Sequence, residues 1–426
     1  MGRTKLRLLT FVFALAIAAL AASPRAAAPS AVTAWVHGRW FDGTTFKPVD
    51  VYTSGARITL KRPARIDRTI DLAGGYVTGA FGEAHNHNIP SDDTDRSIRT
   101  YLEQGIFYVM IQANQPGAPA ELAGRINTPS SVDVAFANGA FTAPGGHPTR
   151  LVKRNIAGGG MQEIDLHDGF ILAAAATADV DRIWRDSVRT QHPDFIKMIL
   201  AYSEDRVAGI PRPADSDRHG LDPALAPYIV NKAHADGLRV SAHVESAYDF
   251  DVAVNAGADL VAHFPGFWPA EQRIKAKGFG IYEISDEIAA EAGRRRVTVV
   301  TTIGESLRLL ETPQGTALRE PLLKVYRQNL ERLRRHGVRL AIGSDQFRST
   351  SVPEALDIRK AGLLSSAELL HALSIDTAAT IFPRRAPFGF AEGAPADFLV
   401  FAEDPLVDFT AIGRISRRVK AGETLR

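Results

Sequence analysis

The sequence predicts an α/β fold, a (β/α)8 TIM barrel with a small β-sandwich formed by the N- and C-terminal segments. Three observations predict it: eight short apolar strands alternate with helical stretches from Gly79 onward, strand-like text returns at both ends of the chain, and 426 residues at 45% apolar are ample for one large core. Charged residues make up 23%, which with this apolar share excludes a disordered chain or a coiled coil.

Residues 1–28 come first. Arg3, Lys5 and Arg7 precede an apolar run from Leu8 to Ala22, and small residues follow in "ALAASPRAAAPS". That order predicts a secretory signal peptide and an exported, periplasmic protein. The competing reading, a membrane anchor, suffers because the run falls short of the ~20 residues that span a bilayer. Residues 29–78 read as antiparallel β in "AVTAWVHGRWFDG", "VDVYTSGARITL" and "RTIDLAGGYV".

Residues 79–383 form the predicted barrel. Its strands are "GAFGEAH", "GIFYVMIQ" (105–112), "VDVAFANGAF" (132–141), "FIKMIL" (195–200), "LRVSAHVE" (238–245), "ADLVAHF" (258–264), "VTVVTT" (297–302) and "RLAIGSD" (339–345). Amphipathic helices such as "DPALAPYIVNKAHADG" and "PLLKVYRQNLERLRRHG" separate them. A doubly wound open sheet is the alternative, but no glycine-rich phosphate fingerprint follows the first strand. Residues 384–426 return to β in "EGAPADFLVFAEDP" and "ISRRVKAGETLR" and close the sandwich with 29–78.

Composition narrows the function. The net charge is +2, and Arg3, Lys5, Arg7 and Arg25 supply four of the cations, so the chain beyond residue 28 is close to neutral. It lacks the positive field that nucleic acid or an anionic membrane demands. With no cysteine there is no disulfide and no thiolate ligand or nucleophile, which leaves His, Asp, Glu and lysine-derived groups for any metal. Arginine runs such as Arg294–Arg296 read as solvated faces.

The chemistry gathers at strand ends. His85 and His87 close the first predicted strand, His243 the fifth, His263 the sixth and Asp345 the eighth, while Lys197 lies inside the fourth. Catalytic groups of this barrel come from the C-terminal ends of several strands. Alternation along a strand turns His85 and His87 to the same side, where they can grip one ion. The His85–His87 pair alone could be a chance occurrence on a surface turn, His243 or His263 a satisfied core residue, and Asp345 a helix cap; together they are far less accidental. Lys197, between Ile196 and Met198, would be costly to bury charged, and a neutral amine can react with carbon dioxide. His234 and His336 read as helix C-terminal cations and His371 as a helix-surface residue, while His37, His167, His192 and His219 fall outside the strand-end pattern.

In order, "AHNHN", "DFIKMI", "VSAHVES", "ADLVAHF" and "AIGSD" resemble the amidohydrolase superfamily, in the branch of imidazolonepropionase-like proteins and Xaa-Pro or Xaa-Arg dipeptidases. "FTAPGGHPT" and the closing "GFAEGAPADFLVFAEDPL" extend the resemblance over nearly all of the chain beyond the signal. It implies two divalent metal ions: His85, His87 and Asp345 on the first, His243 and His263 on the second, and a carboxylated Lys197 bridging them. The donor set suits zinc, with manganese, cobalt or iron as other occupants. Asp345 is implied to be the catalytic proton carrier in hydrolysis of an amide or dipeptide C–N bond. His147 and Tyr202 are the candidate substrate-binding residues. Glu83 stands where the family usually writes Asp, and Ala201, Tyr202 and Ser203 where Gly-Gly is common. A lactonase or phosphotriester hydrolase could use the same site, and a binding protein without turnover would need a ligand lost. The oligomeric state is open.

Overall fold

The computed structural model describes residues 31–91, 93–210 and 219–425. The predicted signal segment lies outside the described residues.

The barrel strands are Phe81–Asn86, Ile106–Ile111, a third in two pieces, Ile196–Ile199, Val240–His243, Leu260–Val261, Thr298–Val300 and Arg339–Ala341. Neighbours pair in parallel around the ring. The ring closes between the first and eighth strands, where Ala84 donates its N–H to Ile342 O at 2.9 Å and Asp345 to His85 O at 2.8 Å. Every residue of the first two strands is buried, as parallel strands under a helical layer require.

The third strand departs from the continuous run that residues 132–141 predict. Asp133–Phe136 pairs with the second strand, while Ala140–Thr142 pairs with the fourth and with an added strand, Ile171–Ala173. Asn138 and Gly139 between them have φ of 52° and 108°, so the chain kinks there. A side chain at Gly139 would press to 2.8 Å from Gly169 O, which reserves the position for glycine.

Helix boundaries follow local chemistry. Ala247–Ala256 begins with Ser246 and Asp249 in a reciprocal capping box and ends at Gly257 in the left-handed region at φ 91°. Thr316–Arg335 buries Leu322, Leu323, Tyr326, Leu330 and Leu333 at helical spacing and leaves Lys324, Arg327, Arg334 and Arg335 to solvent. None of the described helices is long and apolar enough to cross a membrane.

The chain ends form two packed sheets. One holds Val32–Val36, Val51–Ser54, Arg57–Thr59 and Arg68–Asp71; the other holds Arg39–Phe41, Phe46–Pro48, Tyr76–Gly79, Phe398–Phe401, Ile415–Lys420 and Glu423–Thr424. Trp35, Trp40, Val51, Val77, Phe398 and Val419 fill the space between them, with the Trp35 ring edge-on to Phe398 at 4.8 Å. The expected antiparallel pattern is corrected at two places. Val32–Val36 pairs in parallel with Arg68–Asp71, and Arg39–Phe41 with Tyr76–Gly79. The hairpin of residues 51–59 supplies the crossover length that the first of these pairs needs. Tyr108 of the second barrel strand donates its hydroxyl to Asp397 Oδ2 at 2.6 Å and ties barrel to sandwich.

Candidate active site

His85, His87, Lys197, His243, His263 and Asp345 line one cavity of about 1390 Å³ at the C-terminal strand ends, together with His147. His85, Lys197, His243 and His263 are buried. The ring centroids of His85 and His263 lie 4.4 Å apart, and those of His243 and His263 4.3 Å.

Hydrogen bonds fix which ring nitrogen faces the others. His85 Nδ1 lies 2.8 Å from Ala262 O and His87 Nδ1 3.2 Å from Ala113 O. A carbonyl only accepts, so both rings carry a proton on Nδ1, and in the neutral ring Nε2 is left with a bare lone pair. Those two Nε2 atoms stand 3.3 and 3.2 Å from the same Oδ1 of Asp345. His263 Nδ1 meets Thr302 Oγ1 at 2.9 Å, and His243 Nε2 meets Glu245 Oε1 at 3.2 Å. His85, His263 and Asp345 each offer a ligand atom, all within 4.8 Å of one another.

The electrostatics favour a cation among these groups. Burial holds His85, His243 and His263 below the ordinary histidine range, His243 at about 3, so their rings are neutral. Burial works to raise Asp345, but the attraction of positive charge on the His85, His87 and Lys197 side of the cavity outweighs it and holds the carboxyl below its ordinary range. Buried neutral ring nitrogens and a carboxylate gathered around one space favour a positive ion between them. The residues therefore fit a divalent metal.

Lys197 is the fourth strand's contribution. Its burial pushes the amine down to about 7, with Asp345 acting the other way. Nζ donates to Gln112 Oε1 at 3.3 Å. Gln112 in turn is held by its amide N–H on Ala84 O at 2.9 Å and by Ser241 Oγ on Oε1 at 2.8 Å. The sequence reading missed Gln112, although it directly follows the second strand, Ile106–Ile111, at the end where the other polar site residues lie. Glu245, two residues after His243, was missed for the same reason; burial pushes its carboxyl up to about 7, while the nearby His147 ring lowers it.

His147 and Tyr202 part company. The His147 ring lies 4.9 Å from that of His243 at the cavity wall. Tyr202 is not among the lining residues: its backbone is left-handed at φ 50°, its N–H donates to Asp249 Oδ2 at 2.8 Å, and its ring packs 3.5 Å under the Arg273 guanidinium. Outside the cavity, His37, His234 and His371 have carboxylate partners of their own.

The closed parallel barrel with its polar cluster at the strand C-termini and a two-sheet sandwich beside it is shared by solved structures. The chain is similar to a prolidase complexed with N-methylphosphonate-L-proline at a TM-score of 0.69 and 19% identity, over 93% of this chain and 99% of that one. An ochratoxinase from A. niger gives 0.71 and 17% over 93% and 95%, and a Xaa-Pro dipeptidase with methionine bound in its active site gives 0.69 and 15% over 93% and 100%. At these identities the likeness is one of fold. No family model matches the sequence, and no curated protein matches it.

Proposed function

We propose that this protein is an exported metal-dependent amidohydrolase that cleaves the C–N bond of an amide or dipeptide. The observation that carries the reading is the pair of Nε2 atoms, from His85 and His87, facing one oxygen of Asp345 beside His263. His85, His87 and Asp345 would hold one ion and His243 and His263 a second. Lys197 would bridge them as a carbamate, formed when the neutral Nζ lone pair attacks the carbon of CO2 and the nitrogen gives up a proton. When bound, divalent ions supply Lewis-acid polarisation of the scissile carbonyl and ease ionisation of the attacking water.

The chain's own residues do the rest. Asp345 takes the proton of the attacking water on its carboxylate and delivers it to the leaving nitrogen. Gln112 aims Lys197 Nζ toward the centre. His147, on the wall, is placed to hold a polar group of the substrate. The names of the prolidase and Xaa-Pro dipeptidase structures support a dipeptide or N-acyl amino acid as substrate. The test is metal analysis of the purified protein with assays against dipeptides, N-acyl amino acids, lactones and phosphotriesters. Two metal equivalents and selective C–N hydrolysis support the reading; a metal-free protein inert to amides after zinc loading overturns it.

A further inference from the structure

Two cavity side chains, Phe347 and Arg348, have no part in the centre described above. They are the corner residues of a turn that Ser349 closes by donating its N–H to Gln346 O at 3.3 Å. The Phe347 ring is 65% exposed and lies 6.4 Å from the His87 ring. The Arg348 guanidinium has no hydrogen-bond or ion-pair partner among the described residues. An aromatic surface with a few convergent polar groups is what a small-molecule site presents.

The main chain of this turn is held as firmly as its side chains are free. Asn88 accepts the Arg348 N–H on Oδ1 at 3.0 Å and donates Nδ2 to Ser349 O at 3.0 Å, and Asn86 Nδ2 donates to the same carbonyl at 3.2 Å. Asn86 and Asn88 flank His87, so the turn is fixed to the residues on either side of a proposed metal ligand. Arg348 stands at φ 65°, a left-handed conformation that costs a non-glycine residue free energy and collects at ligand sites.

We propose that Phe347 and Arg348 are the specificity-determining pair of the hydrolase: Arg348 binds the carboxylate of the amino acid released by cleavage, and Phe347 packs on its side chain. The substrate class is then an N-acyl or aminoacyl derivative of a bulky apolar amino acid that keeps its free carboxylate. Carboxylate and side chain of an amino acid branch from one carbon, and Phe347 and Arg348 leave adjacent Cα atoms about 3.8 Å apart, so a single substrate residue can meet both. A guanidinium is always charged and takes a carboxylate through two parallel N–H groups. Arg96 and Arg154 also line the cavity, against Asp93 and Glu121 away from the centre, and this cationic excess disfavours a basic side chain. Those two arginines sit on the helices Thr94–Glu103 and Thr149–Ala157, whereas Arg348 is tied to the residue next to His87.

The inference rests on the amide-hydrolase reading above. Its test is kcat and KM of the zinc-loaded protein on the N-acetyl and alanyl derivatives of phenylalanine, phenylalaninamide, glycine and arginine. Wild type is expected to prefer the phenylalanine acid over its carboxamide by roughly 10–100-fold, the range for a hydrogen bond to a charged group, with the difference in KM. Arg348→Gln is expected to erase that preference by losing the acid alone, and Phe347→Ala to erase the preference for phenylalanine over glycine, with zinc content unchanged in both. Both side chains are exposed, so neither variant removes core packing. Arg348→Gly relieves the left-handed backbone as it deletes the guanidinium, and is expected to melt no lower than wild type while losing the preference equally. Amide hydrolysis with no acid preference in wild type, or a preference that survives Arg348→Gln, overturns the inference and leaves the hydrolase reading standing. So does loss of the preference in Arg96→Gln or Arg154→Gln in place of Arg348→Gln. Zinc-loaded protein that cleaves no amide overturns both.

Discussion

Glu83 holds Ser344 twice, accepting its backbone N–H on Oε1 at 2.8 Å and its hydroxyl on Oε2 at 3.0 Å. Ser344 immediately precedes Asp345, and the same Oε1 accepts the His85 N–H at 3.2 Å. One buried carboxyl thus clamps the first strand to the eighth directly beneath two of the groups that face the cavity. Gly343 lets the strands approach, since a Cβ there would come within 2.6 Å of His85 N.

Glu83→Ala is accordingly expected to lower stability by roughly 2–4 kcal/mol, because three donors lose an acceptor in a dry environment and a void remains. Urea unfolding measures it. A loss below ~0.5 kcal/mol would show that the clamp is not stabilising.

Lys197→Ala should abolish or severely cut turnover while leaving the fold intact, because the variant deletes the group proposed to bridge the two ions. Short carboxylates added to the variant are expected to return part of the rate. Full activity without such rescue would reduce Lys197 to a packing residue.

Asp345→Asn and His243→Asn separate two roles. The first should keep much of the metal and lose turnover by ~10²–10⁴-fold, the range for a removed general acid or base. The second should lose metal and rate together. Near-native kcat in Asp345→Asn would remove the proton-carrier role.

Glu354 gives a pH test away from the cavity. Burial pushes its carboxyl from the ordinary 4.5 up to about 7, against the N–H groups of Ile303 and Gly304 that bond to it. The folded state therefore keeps a proton that the unfolded state has lost between these values, so the stabilisation from this group is present below about 4.5 and is lost as pH rises through 7. Comparison of unfolding free energies for wild type and Glu354→Gln across pH 4–8 should show the wild type falling relative to the variant. Parallel curves would contradict the shift.

Much of this was legible in the sequence. Strand text and helical spacing sufficed for the barrel because most of its parallel strands are buried on both faces and read as apolar runs. The strand-end polar residues stood out against those runs, and six of them reach one cavity. What stayed hidden depends on contacts distant in sequence. The break at Asn138–Gly139 is a local left-handed kink inside an otherwise continuous apolar stretch. The parallel pair Trp35–Ile70 is a choice of partner that strand composition does not encode. Tyr202 reads as a mouth residue by position, but its left-handed backbone and the Arg273 cover place it elsewhere. Gln112 and Glu245 are ordinary polar residues until the chain brings Lys197 and His243 against them.

The sandwich also imposes an order on biosynthesis. The strand Tyr76–Gly79 hydrogen-bonds to Phe398–Phe401, and Trp35 packs on Phe398. A ribosome adding ~5–20 residues per second needs roughly 15–60 s to cross the ~320 residues between those strands. Throughout that interval Trp35 and Trp40 have been made but not Phe398, which packs on both, so a segment made early is among the last to be finished. A stop codon anywhere before Phe398 leaves that apolar face bare, a far heavier consequence than the loss of a peripheral tail.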